Sequence, residues 1–268
     1  VRTGAPEGAD VVSTEDPMRR TRKILFALLA ALVGATTLAV AAPATAGAAT
    51  KDPVIIVAGT FSPAFANEPL AARLRADGYR TYIFELPALG TGDINGASAA
   101  LNRFADGVRA QTGAAKVDLV GHSQGGLVAR GYVKYHGGAS EVDSLISLGA
   151  PHYGTYVANL VNFLGFGSCL GVTACEQMTI GSSYLNGLNA GDDTIGNVRY
   201  TNIFTNYDEL VRPVTNATLQ DGATNVRVQS HCWARVVGHL GLIVDGTVYS
   251  GVRQALAGQS IRLNCWAL

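Results

Sequence analysis

From Lys51 onward, short apolar, β-branched runs alternate with stretches in which apolar residues recur at helical spacing. "VIIVAG", Val54 to Gly59, has no charged position and predicts a strand buried on both faces. In "PLAARLRADG", Leu70 and Leu74 share one helical face and Gly78 marks the stop, and "RTYIFELP" predicts a second strand broken at Pro87. Leu101, Phe104, Ala105 and Val108 fall on one face of a longer helix. A strand over Val117 to Val120 and a helix over Gly125 to Tyr135 follow. Strands over Val142 to Leu148, Val198 to Phe204 and Asn225 to Gln229, and a helix from about Thr247 to Ala257, complete the series. Interleaved strands and helices imply a mostly parallel central sheet with helices on both faces. Such sheets bind ligands outside the carboxyl ends of their strands. The polar residues that follow strand ends, Thr60, Ser123, Asp208 and His239, are therefore the first candidates.

The residues before Lys51 break this alternation. Around Met18 a basic head precedes an apolar stretch from Ile24 to Val40, then Pro43 and small residues with an A-x-A site at Ala44 and Ala46. That order predicts a secretory signal peptide over 18–46 rather than a membrane anchor, with 1–17 an upstream extension and 47–268 a single catalytic domain. Export changes the reading of the four cysteines, because an even set in an oxidising compartment predicts disulfides. The favoured pairing is Cys169 with Cys175 and Cys232 with Cys265. Without a C-x-x-C pair, zinc is disfavoured.

Charge narrows the partner class. Twenty basic residues balance twenty acidic ones in 268 residues of which 48% are hydrophobic, so no global field favours nucleic acid, and a neutral small-molecule or lipid partner is expected.

The stretch "VDLVGHSQGGLVAR" carries the chemistry. Gly121, His122, Ser123, Gln124 and Gly125 read G-x-S-x-G between an apolar strand and a helix, a turn that lifts the serine hydroxyl over a helix amino terminus. A serine hydroxyl needs a base, and five histidines are available. His122 lies inside the turn and is expected to point away from its own serine, and surface or capping roles suit His122, His136 and His152. His239, at the glycine-marked turn before the last helix, is favoured over His231, which adjoins Cys232. The third member must be a carboxylate after the following strand. Asp208 in "NYDELV" is favoured over Asp192, Asp193, Glu209 and Asp221. Oxyanion donors are expected from the N–H of Gln124 and of Thr60, with Gly59 letting the chain approach. This chemistry needs no cofactor or metal, and no carboxylate cluster in the sequence demands calcium.

With these residues identified, the chain resembles the secreted bacterial triacylglycerol lipases of the α/β-hydrolase superfamily, the class 2 lipase group of high-GC Gram-positive bacteria. The resemblance runs from about Asp52 to Leu256. It rests on "VIIVAGT", "VGHSQGG", "SLGAPHYGT", "NYDELV" and "VGHLGLI". It implies a compact α/β-hydrolase fold, a catalytic Ser123, Asp208 and His239, an oxyanion hole from Thr60 and Gln124, and action on lipid esters; a monomer is expected. One departure matters: many relatives open the oxyanion loop with His-Gly, and here Ala58 precedes Gly59. The segment "YVANLVNFLGFGSCLGV" is either a lipid-facing rim or lid, or core. In the second case a short-chain carboxylesterase or polyester hydrolase gains ground. An acyltransferase would share the same triad, and a noncatalytic binding protein would need a broken one.

Overall fold

A computed structural model describes residues 51–156, 169 and 172–268. The expected extension (1–17) and signal peptide (18–46) lie outside them, as does most of the apolar segment after Tyr156. The described residues fall in one compact unit, Thr50–Leu268. Among them, no helix is long and apolar enough to cross a membrane.

Among the described residues, six strands form the central sheet: β1 (Val54–Val57), β2 (Thr81–Phe84), β3 (Val117–His122), β4 (Val142–Leu148), β5 (Arg199–Phe204) and β6 (Thr224–Arg227). Their order is β2-β1-β3-β4-β5-β6, and every pairing is parallel. A parallel sheet must be covered on both faces, which is why β1 and β3 are buried at every position. Successive side chains serve opposite faces. Ile55, Val57, Leu119 and Leu145 pack with Leu101 of α2 (Ile94–Thr112) and with Leu127 and Tyr132 of α3 (Gln124–Tyr135). Val54, Ile56, Val120 and Ile146 pack on the other side with Leu70 and Leu74 of α1 (Glu68–Ala76) and with Val248 and Val252 of the last helix, Gly246–Leu256. Each such side chain contributes about 1.5 to 3 kcal/mol by leaving water.

The helix limits follow local chemistry. Asp93 caps α2 by accepting from the Gly96 N–H at 2.7 Å, and Gly113, at φ 69°, ends it. Two short helices that periodicity does not announce, α4 (Thr173–Gln177) and α5 (Ser183–Asn189), lie between β4 and β5. The last helix, numbered α6, is capped by Asp245. Arg130 of α3 is 3% exposed, and its guanidinium donates to Asn189 Oδ1 (2.9 Å) and to the carbonyls of Leu188 (3.4 Å) and Asp193 (3.0 Å), tying α3 to α5.

One strand departs from the sequence expectation. The run expected over Asn225 to Gln229 pairs only to Arg227, opposite Phe204 where β5 ends, and Val228–His231 then coils into one helical turn. With no neighbouring strand beyond Phe204, further extended residues would leave their N–H and C=O groups unpaired. The cysteines pair as expected: Cys169 with Cys175 in α4, and Cys232 with Cys265, which fastens the carboxyl tail beside that helical turn.

The strand order also locates the site. The chain leaves β1 for β2 on one side and returns to β3 on the other, so the carboxyl ends of β1 and β3 diverge into a crevice.

Candidate active site

Ser123 stands at the end of β3, with φ 54° and ψ −126°, and α3 begins at Gln124. The turn is possible because a side chain at Gly125 would put its Cβ 2.2 Å from the Val57 carbonyl oxygen, and one at Gly121 would meet the Gly125 and Gly126 backbone at 2.7 Å. Both glycines are therefore demanded by close approach. The Ser123 N–H donates to the Leu148 carbonyl at 2.9 Å, which holds the bend against β4.

Strain concentrates here. Among the described residues, four non-glycine residues have positive φ: Phe61, Ala88, Leu89 and Ser123. The first three belong to two loops that face each other, joined by the Phe61 N–H donating to the Leu89 carbonyl at 2.9 Å. Backbone in such sparsely populated regions costs on the order of 1 to 3 kcal/mol per residue and persists where the surroundings fix it. Thr60 lies in the first loop, 8% exposed, and its Oγ1 donates to Gln124 Oε1 at 2.5 Å. Gly59 passes close to His122 and Ser123. The two expected oxyanion donors thus sit on segments joined by their own side chains. Gln124 is the first residue of α3, where an α-helix leaves the N–H without an intrahelical acceptor.

Asp208 and His239 are 2% and 1% exposed and meet directly: His239 Nδ1 donates to Asp208 Oδ2 at 2.8 Å. The other carboxylate oxygen, Oδ1, accepts from the Leu210 and Val211 N–H groups at 2.9 and 2.7 Å, which fixes the carboxylate plane. With its proton on Nδ1, the imidazole presents a bare Nε2, which has no hydrogen-bond partner among the described residues. Thr60, Phe61, Ser123, His239, Leu240 and Ile243 line one cavity of about 440 Å³ at the carboxyl ends of the strands. A cavity of about 600 Å³ opens at the opposite end, around Asp52, Asp118, Asp143 and Arg253, away from the serine and histidine.

The remaining histidines and acids are placed differently. His122 and His152 are buried, 3% and 0% exposed, not surface or capping residues. His152 Nε2 bonds Asn202 Oδ1 at 2.9 Å, and burial holds the ring well below the usual imidazole range. His122 Nε2 donates to the His239 carbonyl at 3.1 Å; burial first, then the neighbouring His239, depress its pKa to about 3. His136 caps the end of α3 and bonds Asn95, while His231 is exposed beside Cys232. Glu209 does not touch the imidazole ring; its Oε2 accepts from the His239 backbone N–H at 2.9 Å. Neither backbone contact has a local sequence signature, because each joins residues far apart in the chain. Asp192, Asp193 and Asp221 converge, with carboxylate oxygens within 4.8 Å, a cluster the sequence does not reveal because Asp221 returns from 28 residues on. Asp193 is engaged within the fold: its oxygens accept from Tyr153 Oη and from the Gln220 and Asp221 N–H groups.

A family model described as palmitoyl protein thioesterase matches residues 90–215. Two curated relatives are 37% identical: a triacylglycerol lipase of Pseudarthrobacter phenanthrenivorans over 121 residues (42% of this chain, 37% of that protein) and a triacylglycerol lipase of Burkholderia plantarii over 142 residues (48% and 39%). The matched region thus spans well under half of either relative. Among solved structures, Aspergillus fumigatus lipase B is similar with a TM-score of 0.68 at 22% identity, over 79% of this chain and 53% of that one. The six-stranded parallel sheet, its helical layers and this likeness are those of the α/β-hydrolase fold.

Proposed function

We propose that this chain, an α/β-hydrolase by fold, is a secreted serine hydrolase that cleaves carboxylic esters of lipids, a triacylglycerol lipase working through an acyl-enzyme. The observation that carries the reading is the buried His239–Asp208 bond beside a serine raised on a strained turn, both opening into one cavity. His239 Nε2 takes the proton of Ser123 as Oγ attacks the ester carbon. Asp208 holds the tautomer and stabilises the imidazolium. The same ring then protonates the leaving alcohol, and water repeats the sequence to release the acid. The carbonyl oxygen, negative in the tetrahedral intermediate, is received by the N–H groups of Gln124 and Thr60.

Lipid is favoured over a polar ester by the apolar lining from Phe61, Leu240 and Ile243, and by the exposed Phe65 and Val244 nearby in sequence, which suit contact with a lipid–water interface. Export through the segment 18–46, leaving the single domain 47–268, accords with two disulfides in the described fold, and in this reading the domain acts as a monomer. The thioesterase match, which includes Ser123 and Asp208, favours a second reading in which the acyl group arrives as a thioester; the steps are unchanged except that a thiol leaves.

Turnover of p-nitrophenyl esters and matched acyl thioesters of increasing chain length, with Ser123→Ala beside the wild type, tests the proposal. The expected result is hydrolysis favouring longer oxyester chains and its loss in the variant. Activity surviving the substitution refutes the mechanism, and a short-chain optimum reassigns the chain to the carboxylesterases.

A further inference from the structure

His239 is gripped by its main chain as well as by its ring. The Glu209 carboxylate takes the N–H of His239 at 2.9 Å, and the His122 ring donates to the carbonyl of the same residue at 3.1 Å. The approach to His239 is fastened too: Gln229 Nε2 donates to the Arg235 carbonyl at 2.9 Å, Thr205 Oγ1 donates to the Val237 carbonyl at 2.8 Å, and the Arg235 side chain pairs with Asp245 at 2.6 Å. A loop in irregular backbone, with no ladder of its own, is thus fixed at its chemically decisive residue from β3 and from the turn after β5 together.

We propose that Glu209 and His122 are positioning residues that clamp the two polar groups of the His239 main chain and so set the reach of its Nε2 toward Ser123. The inference rests on the serine hydrolase reading and assigns residues that the triad leaves without a role. Consecutive acids divide the work: Asp208 holds the side chain of His239, and Glu209 holds its backbone. His122 suits its half of the task because its ring lies 4.8 Å from that of His239, centroid to centroid. A cation there would oppose the imidazolium formed in each turnover, and the depressed pKa of His122 keeps the ring a neutral N–H donor. Its Nδ1 has no hydrogen-bond partner among the described residues, so the bond to His239 is the one polar contact its ring makes there.

Four variants test the clamp: Glu209→Ala and Glu209→Gln, and His122→Phe and His122→Gln. Glu209→Gln retains an acceptor for the N–H, and His122→Gln retains a donor of similar reach, whereas Glu209→Ala and His122→Phe retain neither. The assay is a short soluble p-nitrophenyl ester, with rates normalised to serine titrated by an irreversible organophosphonate and melting temperatures measured in parallel. Since misplacing a reacting group by about 1 Å can cost on the order of a hundredfold, Glu209→Ala and His122→Phe are expected to lower kcat by roughly ten- to a hundredfold with KM little changed. Each substitution by glutamine is expected to recover most of the loss. Full kcat per titrated serine in Glu209→Ala, or a Glu209→Gln variant as impaired as Glu209→Ala, overturns the clamp. Glu209 is exposed, so its pair of variants decides the matter even where His122→Phe does not fold. Ser123→Ala separates the two ideas: residual turnover there refutes the hydrolase reading, whereas an inactive Ser123→Ala beside fully active clamp variants refutes the clamp alone.

Discussion

At the scale of single residues, hydrogen-bond direction decides what each side chain can do. Asp208 accepts from His239 Nδ1, and the amide of an Asp208→Asn variant can turn its NH₂ toward that nitrogen and favour the opposite tautomer, in which Nε2 carries the proton. The expected outcome is a fall in kcat of about ten-thousandfold with the fold intact, measured by ester turnover and near-ultraviolet circular dichroism. Gly125→Ala has a different fate, because its Cβ would lie 2.2 Å from the Val57 carbonyl. One side of that contact is backbone and the other a Cβ fixed directly to backbone, so neither can swing aside, and a loss of about 3 kcal/mol in denaturant unfolding is expected. Ser123, Asp208 and His239 were legible because each follows a strand end inside a recognisable local string. Glu209 and His122 were legible only as rivals for other roles, since the groups they engage belong to the main chain and carry no letter in a sequence.

At the scale of elements, periodicity located β1 to β5, α1, α3 and α6 within a few residues and the middle of α2 but not its limits, because each is long or apolar enough to leave a pattern. It failed at the end of β6, where the limit is set by the length of a neighbouring strand, and at α4 and α5, which are too short to show a face. At the opposite end of β3 from the serine, Asp118 is 4% exposed, and Oδ1 has no hydrogen-bond partner among the described residues. Burial, reinforced by Asp143 and Asp52 and opposed by Ser144 and Arg199, raises its pKa to about 7. The folded state therefore holds a proton that the unfolded chain, near 3.8, has already released. Its contribution is most favourable below the unfolded value, is lost as pH rises toward about 7, and stays lost above. Asp118→Asn should accordingly raise the melting temperature more at about pH 8 than at about pH 4. Equal shifts at both values would show that the carboxyl ionises freely in the fold.

At the scale of the whole molecule, the sheet gathers residues 60, 123, 208 and 239 from four separate strand-to-loop exits at one end, and the disulfides fasten what the sheet does not. Cys232–Cys265 spans 33 residues, enough for a cross-link to remove on the order of 3 kcal/mol of unfolded-state entropy. A Cys232→Ser, Cys265→Ser double variant is expected to unfold at lower denaturant by about that amount and to lose activity before the sheet melts. Unchanged stability in that variant would mean that the tail packs without the bond. Cys232 precedes His239 by seven residues, whereas Ser123 lies on rigid sheet remote from either sulfur in sequence. Opening that bond therefore leaves Ser123 in place and removes the covalent anchor from the stretch leading to His239, which then hangs on its hydrogen bonds to Gln229, Thr205, Glu209 and His122.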